Sequence, residues 1–253
     1  MSIETQISGI SVKVYSTSSD ASEAVANEIT QEITTRDHCV LGLATGGTPV
    51  GCYQRLVEQH RNSGLSFADV TTFNLDEYIG LAADHPQSYR AFMQTQLFDH
   101  VDVRRERTWI PNGVAEDVSL ECTTYESRIR EAGGIDLQLL GLGHNGHIAF
   151  NEPGSPLESR TRQVELTPET IQKNARFFAD DESVPRHAIT MGIATILEAR
   201  RIVMLVTGSS KAAAVSAMVE GPVGVECPAS LLRNHPRVQL IVDEAAAGKL
   251  DVS

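Results

Sequence analysis

Short apolar runs alternate with longer amphipathic segments along the whole chain, and this alternation constrains the fold more than any other feature. Each run is about as long as a β-strand and almost continuously apolar, as expected where helices cover both faces of a parallel sheet. The runs are Ile10–Val14, Val40–Ala44, Val70–Leu75, Leu137–Leu142, Ile202–Val206 and Val238–Val242. The pattern predicts one α/β domain over residues 1–253, with a doubly wound, mostly parallel, Rossmann-like sheet.

The amphipathic segments between the runs predict the helices that cover this sheet. The first of them begins with Asp20, an acidic residue placed to cap the helix start. The predicted helices are Asp20–Thr35, Thr48–Arg61, Gln87–Phe98, Ser119–Glu131 and Ser209–Val219.

Residues 154–185 interrupt the alternation. This segment is polar and mixed in charge, holds Pro156, Pro168 and Pro185, and offers no convincing buried strand. An excursion of this length inside a compact α/β domain is more often functional than a plain loop. We therefore predict that residues 154–185 form a lid over an active site.

The formal net charge of −12 disfavours nucleic acid or an anionic membrane as the main partner, since both attract basic patches. The 4 cysteines are scattered without C-x-x-C pairing, which favours free thiols in a reducing compartment. The first residues lack a signal-peptide pattern, and no apolar stretch reaches the ~20 residues that a membrane span needs. We expect a cytoplasmic protein that binds a small molecule.

Ligands of open α/β sheets bind beyond the carboxyl ends of the strands, so the loops after the apolar runs are the candidates for chemistry. Two of these loops are typical of anion-binding helix starts: Thr45, Gly46, Gly47 and Thr48 form one, and Lys211 belongs to the other. Either loop alone is also consistent with an ordinary turn. Two loops of matching type in one sheet favour an anion between them. Such a site needs local donors rather than a basic protein, so it is compatible with the negative net charge.

The third run ends in two adjacent acids, Asp76 and Glu77. Adjacent carboxylates at a strand end cannot point the same way, so at most one of them faces a ligand. Burial there would raise the pKa above its ordinary value of ~3.9 and strengthen the carboxylate as a proton acceptor. Taken alone, the motif more often marks a solvated acidic turn.

The sequence GLGHNGHIAFNEP, from Gly141 to Pro153, concentrates polar groups after the fourth run. It contains a literal G-x-G-x-x-G, but a dinucleotide fingerprint must open a helix, and the residues that follow are not helix-like. His147 and Glu152 are candidates for proton transfer, because a carboxylate can orient the ring and stabilise its charged form. A metal site of His144, His147 and Glu152 is the alternative, although the spacing is not distinctive.

Four segments, in this order, resemble the glucosamine-6-phosphate deaminase family: LATGGTPVGCYQRLV, TFNLDEYIGL, GHNGHIAFNEPGS and VTGSSKAAAV. The resemblance extends along nearly the whole chain. It implies an enzyme that converts glucosamine 6-phosphate and water to fructose 6-phosphate and ammonia, without a metal or an organic cofactor.

The resemblance also assigns roles to residues. It implies that Asp76 takes the C2 proton and returns it at C1, and that His147 opens the pyranose ring with Glu152 as its carboxylate partner. It places the phosphate between Gly46, Gly47 and Thr48 on one side and Lys211 on the other, with Arg176 from the lid segment as a further cation.

The chain departs from some family members at two places. Asn145, a further catalytic candidate of this loop, stands where some members carry Asp. An amide can orient a neighbour by hydrogen bonding but cannot accept a proton, so we expect Glu152 to bear more of the work. Ser155 and Arg162 match a second site at which allosteric members bind N-acetylglucosamine 6-phosphate, but Val164 replaces a lysine of that site. The chain also ends before the final segment of those members. The resemblance therefore implies weak or absent activation, and it leaves a homo-oligomer open because the family includes monomers and hexamers.

Two other functions are consistent with parts of the sequence. A 6-phosphogluconolactonase shares the G-x-G-x-x-G-H loop, but it typically continues I-A-S-L-F-P where this chain has IAFNEP, and it usually has Arg in place of Tyr78. A non-enzymatic sugar-phosphate sensor would be a regulator, but the sequence shows no helix-turn-helix pattern or basic extension to support one.

Overall fold

The computed structural model describes residues 2–175, 178 and 182–251. Its strands are β1 (Ile3–Ile7), β2 (Ile10–Tyr15), β3 (Cys39–Leu43), β4 (Val70–Asn74), β5 (Asp76–Tyr78), β6 (Thr108–Trp109), β7 (Leu137–Leu140), β8 (Arg162–Glu165), β9 (His187–Thr190), β10 (Ile202–Val206) and β11 (Val238–Asp243). Its helices are α1 (Ser18–Thr34), α2 (Val50–Ser63), α3 (Tyr89–Gln96), α4 (Val118–Glu131), α5 (Pro168–Ala175), α6 (Ile193–Leu197), α7 (Ala212–Val219) and α8 (Glu244–Ala247).

The central sheet has eight strands in the order β1-β2-β11-β10-β7-β3-β4-β6. All neighbours in it are parallel except β1 and β2, which form an antiparallel hairpin at one edge. From β3 the chain continues outwards through β4 and β6, and from β7 it continues in the other direction through β10 and β11. The topological switch point therefore lies between β3 and β7, where ligands of such sheets bind. The predicted α/β class with a mostly parallel sheet is confirmed.

The predicted strands were apolar because they lie inside the molecule. Every residue of β3, β4, β7, β10 and β11 is buried. Helices cover both faces of such a sheet, so alternation of polar and apolar residues is absent from these strands. None of the helices in the described part of the chain combines the length and apolarity that a membrane crossing requires.

The expected cap of the first helix is wrong. Thr17, not Asp20, caps α1, and its hydroxyl accepts the backbone N–H of Asp20 at 3.1 Å. Asp20 lies in the first turn instead, where a negative charge is favoured by the helix dipole. The predicted start of α2 is also two residues early, because Thr48 and Pro49 stay in the loop before Val50.

A second, three-stranded sheet in the order β5-β9-β8 lies outside the sequence predictions. Its strands are antiparallel, and β8 alternates half-buried with exposed residues, so residues 154–185 do contain a short strand as well as α5. A small core joins the second sheet to this segment; its buried members are Tyr78, Phe150, Leu166, Phe178 and Ala188. The role of the segment as a lid stays a prediction.

Candidate active site

A cavity of about 310 Å³ opens at the carboxyl ends of the central strands. This volume lies in the range of small-molecule sites. The cavity is lined by residues 44–49, Leu75, Asp76, Tyr89, residues 141–144, His147, Ala149, Phe150, Thr170, Asn174 and Lys211. The loops after β3, β4, β7 and β10 thus meet here, and they bring Asp76, His147 and Lys211 to one space.

One end of the cavity, the anion end, combines groups that suit an anion. Residues 45–48 lie before α2, and Gly46 has φ +98°, a conformation that favours glycine. Across the cavity, the turn after β10 is fixed by Asp243, whose carboxylate oxygens both accept the backbone N–H of Gly208 at 3.0 Å. Lys211 follows this turn, and its Nζ donates to the carbonyl of Leu142 at 2.7 Å. A lysine and a helix N-terminus therefore face the same end of the cavity.

Asp76 and Glu77 point in opposite directions from β5. Asp76 lines the cavity and is buried, and this burial, followed by the charge of Glu77, raises the pKa of Asp76 to about 8. Glu77 accepts the backbone N–H groups of Tyr78, Tyr89 and Arg90 at 2.8 to 3.0 Å. Glu77 therefore closes the start of α3, and Asp76 is the carboxyl that can act on a ligand.

The G-x-G-x-x-G of the loop after β7 forms a compact turn. The N–H of Gly143 donates to the carbonyl of His147 at 2.8 Å, and the N–H of Gly146 donates to the carbonyl of Gly143 at 3.1 Å. A Cβ on Gly143 would lie 2.3 Å from the ring of His147, so the ring rests directly on this glycine. No helix follows in residues 141–161, all of which the structure describes, which is unlike a dinucleotide fingerprint.

Asn145 joins His147 to Glu152. Its amide nitrogen donates to Glu152 Oε2 at 2.7 Å, since an ionised carboxylate can only accept. Its Oδ1 therefore faces Nδ1 of His147, 2.7 Å away, and Glu152 Oε2 lies 3.4 Å from the same nitrogen. With two acceptors beside it, Nδ1 carries the proton of the neutral ring. Nε2 is then the basic nitrogen, and His147 lines the cavity.

Glu152 is held in its ionised form. Its burial alone would raise its pKa, but a hydrogen bond from His147 and the positive charge of the His147 ring when protonated, with hydrogen bonds from Asn145 and Thr170, lower the pKa to about 2. An Asp at position 145 would place a second carboxylate beside Glu152, whereas Asn145 connects the pair without adding charge.

The other histidine of the loop belongs to a different pair. Nε2 of His144 lies 2.8 Å from the carboxylate of Glu169 on α5, so the members of the alternative metal site do not converge on one centre. In the part of the chain that the structure describes, no group of three His, Cys, Asp or Glu side chains could hold a metal ion.

Two residues of α5 line the cavity and were not singled out from the sequence. Thr170 donates to Glu152 Oε1 at 3.0 Å, and Asn174 donates to the hydroxyl of Tyr78 at 2.8 Å. α5 is only eight residues long and lies in a polar segment, so neither periodicity nor a motif marks these side chains. Their partners are up to 96 residues away in sequence, and only the folded chain brings them together.

Ser155 and Arg162 lie next to each other but outside the cavity lining. The guanidinium of Arg162 donates to Asn151 Oδ1 at 2.8 Å and to Ser155 Oγ at 3.4 Å. Val164, two residues further along β8, packs against the small core under the second sheet. Arg176, the predicted further cation, lies outside the described residues.

An open α/β sheet whose cavity combines groups that suit an anion with groups that suit proton transfer is typical of an enzyme for a small phosphorylated molecule. A family model described as glucosamine-6-phosphate isomerases/6-phosphogluconolactonase matches residues 15–241, and the chain belongs to this family. The resemblance that the sequence motifs indicated is therefore confirmed.

Relatives of high similarity bear one name. A glucosamine-6-phosphate deaminase from Rhodopirellula baltica is 56% identical over 245 residues, which cover 97% of this chain and 98% of that protein. One from Clostridium perfringens is 50% identical over 228 residues, or 90% of this chain and 94% of that protein.

Solved structures show the same relationship. The structure of a monomeric glucosamine-6-phosphate deaminase matches with a TM-score of 0.92 at 45% identity, covering 94% of this chain and 99% of that one. A 6-phosphogluconolactonase from Trypanosoma brucei matches with a TM-score of 0.73 at 22% identity, over 98% of this chain and 100% of that one. The second likeness shows a shared fold.

Proposed function

We propose that this chain is a glucosamine-6-phosphate deaminase, which converts glucosamine 6-phosphate and water to fructose 6-phosphate and ammonia. The observation that carries the proposal is one cavity lined by two separate proton-transfer groups, Asp76 and His147. Aldose–ketose conversion of a cyclic sugar needs both, since the ring must open before a proton can move from C2 to C1. The names of relatives up to 56% identical to this chain support the same substrate.

The phosphate binds at the anion end. The N–H groups of residues 45–48 and the start of α2 face it from one side, and Lys211 faces it from the other. The sugar then extends towards Asp76 and His147. A few local donors suffice, so the net charge of −12 is no obstacle to an anionic substrate.

His147 catalyses ring opening. Its unprotonated Nε2 takes the proton of the C1 hydroxyl, the O–H electrons form the C1 carbonyl, and the electrons of the C1–O5 bond pass to the ring oxygen. His147 then delivers the proton to that oxygen, which gives the open-chain aldehyde. Glu152 stabilises the transient imidazolium, directly at 3.4 Å and through Asn145.

The C2 proton falls to Asp76. The ionised carboxylate removes it, the C2–H electrons form the C1–C2 double bond, and the electrons of the C1 carbonyl double bond pass to the aldehyde oxygen, which takes one proton from the substrate ammonium. Asp76 returns its proton to C1, where the C1–C2 double-bond electrons bind it, and the nitrogen lone pair forms the C–N double bond of a protonated imine at C2. Water adds to C2 and ammonia leaves. Although burial raises the pKa of Asp76 to about 8, the ammonium of the bound substrate favours its ionised form.

An assay of ammonia and fructose 6-phosphate tests this function. The purified chain should release both in equal amounts from glucosamine 6-phosphate and should exchange the C2 hydrogen with solvent deuterium. Asp76→Asn should lose the exchange by about a thousandfold or more, because the amide cannot accept a proton. Asp84→Asn, which removes an exposed carboxylate outside the cavity lining, is the matched control and should keep full activity.

A different product would point to the other branch of the family. Hydrolysis of 6-phosphogluconolactone needs a base for water but none at C2, so the Asp76→Asn variant would then stay active. Lactonase activity without ammonia release would overturn the proposal.

A further inference from the structure

The helix α5 makes three side-chain contacts at or beside the cavity, although it belongs to the segment 154–185 rather than to the central sheet. Glu169 pairs with His144, Thr170 with Glu152, and Asn174 with Tyr78. Of these contacts, the one made by Thr170 reaches a member of the group that opens the ring. Thr170 is also buried, with 9% of its surface exposed, so its hydroxyl has few alternatives in water.

The direction of the Thr170 hydrogen bond is fixed by its neighbour. The hydroxyl of Thr167 donates to Thr170 Oγ1 at 3.0 Å, and Thr167 Oγ1 accepts the backbone N–H of Thr170 at 3.2 Å. Since Thr170 Oγ1 accepts a hydrogen bond from Thr167, its own hydrogen points to Glu152 Oε1, 3.0 Å away. A carboxylate can only accept, which requires the same direction.

The two oxygens of Glu152 are thus held from two sides. Oε2 receives the amide of Asn145 from the loop after β7, and Oε1 receives the hydroxyl of Thr170 from α5. Without the second contact, the carboxylate can turn about its terminal bond. Rotation of the carboxylate would break its hydrogen bond to the amide nitrogen of Asn145, and Oδ1 of the same amide orients the ring of His147.

We propose that Thr170 is a positioning residue for ring opening: its hydroxyl locks Glu152 in the orientation that Asn145 and His147 require. The inference rests on the proposed deaminase function and adds a part from outside the catalytic loop. Because Thr170 lies on α5, ring opening depends on α5 being seated over the cavity. The position of α5 is thereby tied to the first chemical step rather than to the transfer at C2.

Two substrates distinguish ring opening from the proton transfer at C2. Glucosamine 6-phosphate needs ring opening, whereas its 5-deoxy analogue cannot close the pyranose ring and reports on the steps that follow. Thr170→Val keeps the branched shape and removes the hydroxyl. It should lower kcat on glucosamine 6-phosphate about tenfold or more with KM nearly unchanged, and should leave kcat on the analogue within about twofold. Thr170→Ser, which keeps the hydroxyl, should retain most of the activity on both.

Thr30→Val is the matched control. Thr30 is a half-buried threonine of α1 whose hydroxyl bonds Ala26 and Gln59, neither of which lines the cavity. It should leave both substrates unaffected. An equal loss on both substrates for Thr170→Val would make Thr170 merely structural, and an unchanged kcat would remove it from ring opening; either result overturns the inference. A wild-type chain that releases no ammonia would contradict the proposed function itself, and the inference with it.

Discussion

Asp76 and Glu77 are neighbours in sequence and have opposite tasks in the fold. Glu77 accepts three backbone N–H groups and so stabilises the junction of β5 and α3. Asp76 lies on the other side, in the cavity, where burial raises its pKa to about 8. A buried carboxyl that must ionise for catalysis costs stability, and this is a common trade between activity and folding.

The loss of folding stability caused by burying Asp76 depends on pH. In the unfolded chain the carboxyl ionises near its ordinary pKa of ~3.9, whereas in the folded chain it ionises near 8. The unfolded state therefore binds fewer protons between these values, and folding stability falls as pH rises through this window and levels off above it. Asp76→Asn removes this loss. The free energy of unfolding of the variant, relative to wild type, should rise by roughly 2 kcal/mol between about pH 6 and about pH 8.

Denaturant titrations of both proteins at several pH values measure this difference. The variant should show no further gain above about pH 9, since Asp76 of the wild type is then ionised in both states. Asp84→Asn, which removes an exposed carboxylate outside the cavity lining, serves as the control. A constant offset between Asp76→Asn and wild type over the whole range would refute the raised pKa.

The residues of the loop after β7 differ in how well their roles could be predicted from the sequence. His147 and Glu152 stand out because their chemistry is visible in the residue types themselves. The bridge that Asn145 forms between His147 and Glu152 could not be predicted from the sequence, because both contacts depend on a turn that places the ring of His147 over Gly143. An amide cannot relay a proton, but it can bridge a ring and a carboxylate, and the structure gives it this geometry.

Among the secondary-structure elements, the strands of the central sheet were predictable from the sequence, whereas the strands of the second sheet were not. A continuous apolar run identifies β10 to the residue, since both faces of that strand are covered. The sheet of β5, β9 and β8 escapes such analysis because its strands are three or four residues long and pair across wide sequence gaps. α5 depends on the same sheet for its place, which is why Thr170 and Asn174 could not be found from the sequence.

The two loops that end β3 and β10 carry a prediction of their own. If they hold the phosphate, Lys211→Ala should raise KM for glucosamine 6-phosphate about ten- to hundredfold and change kcat little, because the contact is made equally in ground and transition states. Lys249→Ala, which removes an exposed lysine near the end of the described chain, should leave KM unchanged. The comparison uses initial rates of ammonia release.

Glucosamine without its phosphate sharpens this test. Wild type and Lys211→Ala should use it equally poorly, since the lost contact concerns the phosphate alone. An unchanged KM of Lys211→Ala for the phosphorylated substrate would place the phosphate elsewhere.

In the whole molecule, the side chains around Ser155 and Arg162 make contacts within the fold. The guanidinium of Arg162 is half-buried and bonded to Asn151 and Ser155, and the half-buried Val164 packs against the small core that contains Tyr78. Allosteric relatives are expected to hold a second sugar phosphate at the matching place with a lysine in the position of Val164. An apolar side chain such as Val164 offers a phosphate no donor and no charge.

Activation by N-acetylglucosamine 6-phosphate should therefore be weak or absent. Rates plotted against glucosamine 6-phosphate concentration should follow a hyperbola both with and without this compound, which at high concentration should only compete at the active site. Competition raises the apparent KM, whereas activation would lower it, so the direction of the change separates the two cases. A sigmoidal curve that becomes hyperbolic when the compound is added would show that this surface still regulates the cavity, even though Val164 has replaced its cation.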